Sequence, residues 1–165
     1  MSTLPQLIEE DIQRLDEELH DFLGKSDATT ALIIDQGGFL IASAGDCRQF
    51  DTTTIAALAS GAYLANQTIA NLVHEANFNS VYQQGEKYSI FACQCGEECL
   101  LVVIFEAEHS VGVVKYFCAP AVEKIVAQLQ RAQERDPSGG LDLSVLNVAD
   151  PSTVFKKKRE RAKRS

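Results

Sequence analysis

Between Asp51 and His74 the chain reads DTTTIAALASGAYLANQTIANLVH, and after Asp51 it contains no Lys, Arg, Asp or Glu. On a helical wheel Ile55, Leu58, Ala59, Ala62, Ile69 and Val73 share one side, a stripe wide enough to bury against a sheet. The opposite side holds Ala57, Ser60, Gly61, Leu64, Thr68 and Asn71. Solvent-facing helix surfaces are normally rich in Lys and Glu, so a small, uncharged second side predicts a helix covered on two sides, the second by another macromolecule. Complete burial inside a larger core is the bland alternative. A membrane span is rejected, because Asn66, Gln67, Thr68 and Asn71 interrupt a run that would need about 20 mainly apolar residues.

The rest of the chain supplies material for one domain and a tail. At 165 residues a single modest core fits, and a 45% hydrophobic share excludes disorder throughout. No charged n-region and apolar h-region open the sequence, and the five cysteines, Cys47, Cys93, Cys95, Cys99 and Cys118, are odd in number. Reduced thiols and a cytoplasmic location are therefore expected. The formal charge of −8 is uneven: the run KKKRERAKRS at 156–165 carries +6, leaving −14 on the rest. That body should repel nucleic acid and anionic membrane.

Thr3-Leu-Pro-Gln6 reads as a helix start, with Leu4, Ile8, Leu15, Leu19, Phe22 and Leu23 at helical spacing up to Gly24. Residues 31–35 (ALIID) and 39–43 (FLIAS) form a strand pair across Gln36-Gly37-Gly38, where Asp35 is expected to bond the turn backbone rather than to catalyse. Asp51 or Thr52 caps the long helix. Three further strands are predicted at Lys87–Cys95, Cys99–Glu106 and Val111–Cys118. The first pair closes through Gly96-Glu97-Glu98, and the unbroken apolar run from Cys99 to Phe105 belongs at the sheet centre. Lys87–Cys95 is less apolar and reads as an edge. Pro120 opens a last helix with Val122, Ile125, Val126 and Leu129 as its stripe. The domain is bounded at 1–135, and residues 136–165 form a flexible extension in which 141–148 is a candidate docking segment and Asp150 a candidate helix start.

Candidate chemistry is sparse. Strand alternation puts Cys93 and Cys95 on one face, and the short loop brings Cys99 opposite Cys95, but zinc lacks a fourth ligand and a CxxC pair. No phosphate-binding GxxxxGK[ST] or GxGxxG is present, and His20, His74 and His109 have no adjacent nucleophile elbow. The chain is therefore read as non-enzymatic, with no metal and no cofactor. The basic tail has Phe155 as its one aromatic neighbour, so base stacking is poorly supported.

The order helix, two strands, long helix, three strands, helix resembles the roadblock domain of dynein light chain type, and within it the MglB-like bacterial partners of a Ras-like GTPase. The residues carrying the likeness are 31–35 with Gly38, Asp51 to Gly61 with Ile55 and Leu58, then Ala65, Ile69, Ala70, Leu72, Glu75 and Phe78, the QGE at 84–86, residues 100–106 and 112–115. The resemblance implies an α/β sandwich with a five-stranded, mostly antiparallel sheet and a long central helix. It further implies a homodimer in which the long helices pack antiparallel and Lys87–Cys95 pairs with its counterpart, with Asn71, Ser89, Phe91 and Cys93 at that interface. A small Ras-like GTPase (MglA-like) would sit on Ala57, Ser60, Gly61, Leu64 and Thr68. The activity implied is GTPase activation without an arginine finger, in bacterial polarity or motility; a scaffold without that activity is the alternative.

Overall fold

The computed structural model describes residues 4–135. The expectations for Thr3 as a cap, the turn at 136–140, the segment at 141–148, a helix from Asp150 and the tail lie outside the described residues.

The elements run α1 (Glu9–Ser26), β1 (Thr30–Asp35), β2 (Leu40–Gly45), α2 (Thr52–Leu72), β3 (Ser80–Gln83), β4 (Tyr88–Cys95), β5 (Cys99–Glu106) and α3 (Val111–Arg135). The strands form one sheet in the order β2-β1-β5-β4-β3, antiparallel at every pairing. This is the α/β sandwich expected. β5 lies at the centre with Cys99 to Phe105 buried throughout, as an apolar run without alternation requires.

Alternation along the strands sends side chains to two cores. On one face Ala31, Ile33, Leu101, Val103 and Phe105 meet Leu15, Leu19 and Phe22 of α1 and Val114, Ile125 and Leu129 of α3. On the other, Leu32, Ile34, Leu100 and Val102 meet Ala56 and Tyr63 of α2.

Two expectations about element type are corrected. Val111–Cys118 is not a strand: it is the first half of α3, and Pro120 lies inside that helix. Val114, Cys118, Ala121, Ile125 and Leu129 recur every three or four residues and all face the core, so helical burial outweighs the β preference of the valines. Pro120 is exposed, where its ring meets solvent and only the hydrogen bond to the carbonyl of Tyr116 is forgone. The missing strand is instead β3, four residues long and paired with β4 from Ser80 opposite Cys93 to Gln83 opposite Ile90.

β4 is accordingly not an edge. It is hydrogen-bonded to β3 on one side and β5 on the other, so among the described residues the outer strands of the sheet are β2 and β3. The start of α1 also shifts: Leu4, Pro5 and Ile8 precede the helix, and the carboxylate of Asp11 accepts a hydrogen bond from the amide of Ile8 at 2.9 Å. The helix runs past Gly24 to Ser26 and stops at Asp27, which takes the left-handed conformation at φ 57°.

Candidate functional site

α2 begins as the sequence requires. Asp51 accepts hydrogen bonds from the amide of Thr54 at 3.1 Å and from its hydroxyl at 2.7 Å, and these hold the Asp51 carboxyl below the ordinary carboxylate range. From Thr52 to Leu72 no charged residue follows.

The side of α2 that meets the sheet differs from the wheel prediction. Ala56, Ser60, Tyr63 and Ala70 are buried, with Ile55 and Ala59 packed beside them. Leu58, placed in the buried stripe by spacing, is 68% exposed, and Ile69 and Val73 are also exposed. The helix is therefore rotated so that small side chains bring it close to the sheet, with Tyr63 the one large residue in the contact. Five of the ten large exposed apolar side chains among the described residues, Leu58, Leu64, Ile69, Leu72 and Val73, lie on α2 or its C-cap.

Of the residues expected to touch a GTPase, Ala57, Gly61, Leu64 and Thr68 are exposed on this outer side. Ser60 is not: it is 4% exposed, and its hydroxyl donates to the carbonyl of Gln36. Its role is to tie α2 to the β1–β2 turn. Of the residues expected at a dimer contact, Asn71 is exposed, whereas Ser89 and Phe91 are buried and Cys93 is half-buried. Phe91 and Cys93 belong to the core beneath α1 and α3. The backbone of β4 is paired on both sides, by β3 and β5.

The β1–β2 turn abuts α2. Asp35 accepts from the amide of Phe39 at 2.8 Å, the structural role expected of an Asp at a turn. Gly38 has φ +90°, and a Cβ there would lie 3.0 Å from the Cα of Ala57, so glycine is needed for both conformation and approach. Phe39 at this tip is 73% exposed. Sequence reasoning placed Phe39 in a strand and missed it, although its position directly after two glycines was a legible sign of a turn.

The thiols lie elsewhere. Cys93, Cys95, Cys99 and Cys118 all join the core on the α1/α3 face, with Cys95 directly opposite Cys99. The Cys118 thiol hydrogen-bonds Cys93 and holds it below the ordinary thiol value against the effect of burial. Burial, with the charges of Asp35 and Glu98, pushes Cys99 up to about 12. Burial likewise raises Cys95. Among the described residues, the group of potential metal ligands that comes within 4.8 Å mutually is not a thiol set but Glu106, Glu108 and His109, at the surface.

One cavity of about 390 Å³ is lined by Glu10, Asp11, Arg14, Gln128, Arg131 and Arg135. Its polar groups are occupied with one another. Asp11 is 1% exposed and accepts from Gln128 at 2.8 Å and from the guanidinium of Arg135, while Arg131 donates to Gln128 at 3.1 Å and Arg14 pairs with Glu10 at 3.1 Å. This is a clasp between the start of α1 and the end of α3.

A sheet sealed on one face by two helices and covered on the other by a single uncharged helix defines a domain of roadblock architecture. The chain belongs to the Roadblock/LC7 domain family, whose match spans residues 15–105. Its fold is similar to Myxococcus xanthus MglB, with 27% identity and a TM-score of 0.72 over 77% of this chain and 96% of that one. It is similar to the gliding protein MglB of Thermus thermophilus, with 28% identity and a TM-score of 0.72 over 79% and 99%. An MglB with a tetrameric arrangement matches at 28% identity and a TM-score of 0.74 over 80% and 99%. The chain is thus an MglB-like roadblock protein. No curated protein matches it. No helix among the described residues is long and apolar enough to cross a membrane.

Proposed function

We propose that this protein is a homodimeric, non-enzymatic regulator that binds a small Ras-like GTPase of the MglA type and stimulates its GTP hydrolysis, in bacterial cell polarity or motility. The observation that carries this reading is the outer side of α2, exposed, apolar and free of charge on a chain whose first 155 residues sum to −14. An apolar surface of this kind is normally an interface. The likeness to MglB proteins, one of them described as a gliding protein, supports the biological setting.

Two surfaces are needed, one for a second copy and one for the GTPase. For the second copy the edge of β3, outermost among the described strands, replaces the Lys87–Cys95 edge, since an outer strand is where another chain can add. It adjoins the C-terminal half of α2, where Gln67 donates to the carbonyl of Phe78 at 3.2 Å just before β3. Asn71, Ile69, Leu72 and Val73 would be covered there. Ala57, Gly61, Leu64 and Thr68 remain for the GTPase.

A regulator of this kind contributes no reacting group. It accelerates hydrolysis by binding the GTPase more tightly in the arrangement in which its own residues orient water and stabilise charge on the γ-phosphoryl group. Each tenfold preference for that arrangement is worth about 1.4 kcal/mol and sets the ceiling on acceleration.

The test is GTP turnover by the cognate GTPase with and without this protein. Raised turnover supports activation. Tight binding with unchanged turnover would replace it with the scaffold reading, and absence of both would remove the GTPase as partner.

A further inference from the structure

Phe39 combines an exposed ring with a backbone held from three directions. Within its own turn, the Asp35 amide donates to the Phe39 carbonyl at 2.9 Å and the Phe39 amide donates to the Asp35 carboxylate at 2.8 Å. From α2, the Ser60 hydroxyl reaches the Gln36 carbonyl, and Gly38 lies against the Ala57 backbone. From the β4–β5 turn, the carbonyl of Glu98 accepts from the Gln36 amide at 2.9 Å and that of Glu97 accepts from the Gln36 side chain. An aromatic ring presented by a backbone already ordered loses little further freedom on binding, and such rings recur as the central anchors of interfaces.

We propose that Phe39 is such an anchor, entering an apolar pocket of the small Ras-like GTPase beside Ala57, Gly61 and Leu64 of α2. This rests on the function proposed above and adds to it a residue, on a different element, that orients the partner on the platform. Charge selects the occupant. Asp35 in this turn and Glu97 and Glu98 in the β4–β5 turn bonded to it make this end of the sheet acidic, so a second copy of this acidic chain would bring carboxylates toward carboxylates. Like charges at a contact are disfavoured, whereas a partner whose pocket is rimmed by Lys or Arg fits. Distance along α2 agrees: Ala57 and Leu72 are about 22 Å apart at 1.5 Å per helical residue, so the tip lies at the end remote from β3.

The experiment titrates the full-length protein into the GTPase and reads the concentration giving half-maximal stimulation of GTP turnover, for wild type, Phe39→Ala, Phe39→Leu and Leu64→Arg. Sedimentation of each variant is measured in parallel. Phe39→Ala is expected to raise the half-maximal concentration on the order of tenfold, as for loss of an aromatic anchor, with the plateau rate unchanged. Phe39→Leu should recover part of that loss, and both should sediment as wild type does. Phe39→Ala indistinguishable from wild type while Leu64→Arg fails to stimulate would overturn the anchor and leave the GTPase reading standing. Phe39→Ala sedimenting as single chains would assign the ring to the second copy and equally overturn the proposal. Wild type without binding or stimulation would remove both readings.

Discussion

The two faces of the sheet are covered in opposite ways. α1 and α3 lay Leu15, Leu19, Phe22, Val114 and Ile125 on one face, and their outer sides carry Glu9, Glu10, Arg14, Glu17, Glu123 and Lys124 to solvent. α2 lays mainly Ala, Ser and one Tyr on the other, and its outer side is as apolar as its inner one. The first arrangement is finished within the chain: burial on one side, charge on the other. The second is incomplete among the described residues, since Leu58 and Leu72 are 68% and 76% exposed with no charge among them. Under the proposed function, a charge-free helix is where burial is completed by another molecule.

Substitutions should separate the faces, with the largest effect on the finished one. Leu101, fully buried at the centre beneath α1 and α3, is expected to cost about 3 kcal/mol as Leu101→Ala through lost burial and a residual cavity. Urea unfolding measures it. The contrast breaks if the loss stays near that of an exposed leucine.

The clasp at the rim of that face gives a smaller effect with a pH signature. Burial tends to raise the Asp11 carboxyl, but hydrogen bonds from Arg135, the Ile8 amide and Gln128 outweigh it, so its value falls below the ordinary 3.8. A group depressed in the folded state contributes fully above its unfolded value, and that contribution fades as pH falls through the folded value. Asp11→Asn keeps the shape and removes the charge. Because the Arg135 side chain is 41% exposed, the cost at neutral pH is set at about 1.5 kcal/mol rather than that of a fully buried pair. As pH falls below about 3.8 the gap between variant and wild type should begin to narrow, closing only below the lowered folded value; stability curves that stay parallel down to acid unfolding would dismiss the clasp.

How far the sequence disclosed this contrast depends on the residue. The absence of charge from Thr52 to Leu72, the Asp51 cap, the Gly38 turn and the central position of Cys99 to Phe105 were all legible, because each depends on local chemistry or composition. The rotation of α2 was not. A wheel ranks residues by apolarity, and on a helix apolar all round it finds no preferred side, so Leu58 and Ile69 were placed inward and Ser60 outward. Val111–Cys118 misled for a related reason: Val-Gly-Val-Val suits a strand locally, and only the continuation of the core stripe to Leu129 identifies the helix. The edge reading of Lys87–Cys95 rested on its lower apolar content, which does not distinguish a rim strand from one flanked by a four-residue β3.

Changes on the unfinished face should barely alter the stability of the single chain. Leu72→Asp is expected to shift unfolding by no more than about 0.5 kcal/mol once dissociation is complete, because the side chain leaves little apolar contact behind. Its effect should appear in self-association: sedimentation should show single chains at concentrations where wild type remains paired. A variant that pairs normally would move the second copy away from the C-terminal half of α2.

The smallest effect is a chemical one and reports the finished face alone. Alkylation requires thiolate, and burial with the neighbouring carboxylates of Asp35 and Glu98 pushes Cys99 up to about 12, so little of it is reactive at pH 8. Cys95, raised by burial, and Cys118, raised by its hydrogen bond to Cys93 and by burial, share that core. Cys47 is half-buried in the loop before α2 and lies outside it. Iodoacetamide followed by peptide mass mapping should therefore label Cys47 well before Cys95, Cys99 or Cys118. Leu72→Asp should leave that order unchanged, because the outer side of α2 is separated from these thiols by the sheet. Leu101→Ala, which loosens the layer that contains them, should accelerate labelling of Cys99. If Leu72→Asp accelerated it as much, the two faces would open together, and a sealed side would no longer be distinct from an unfinished one.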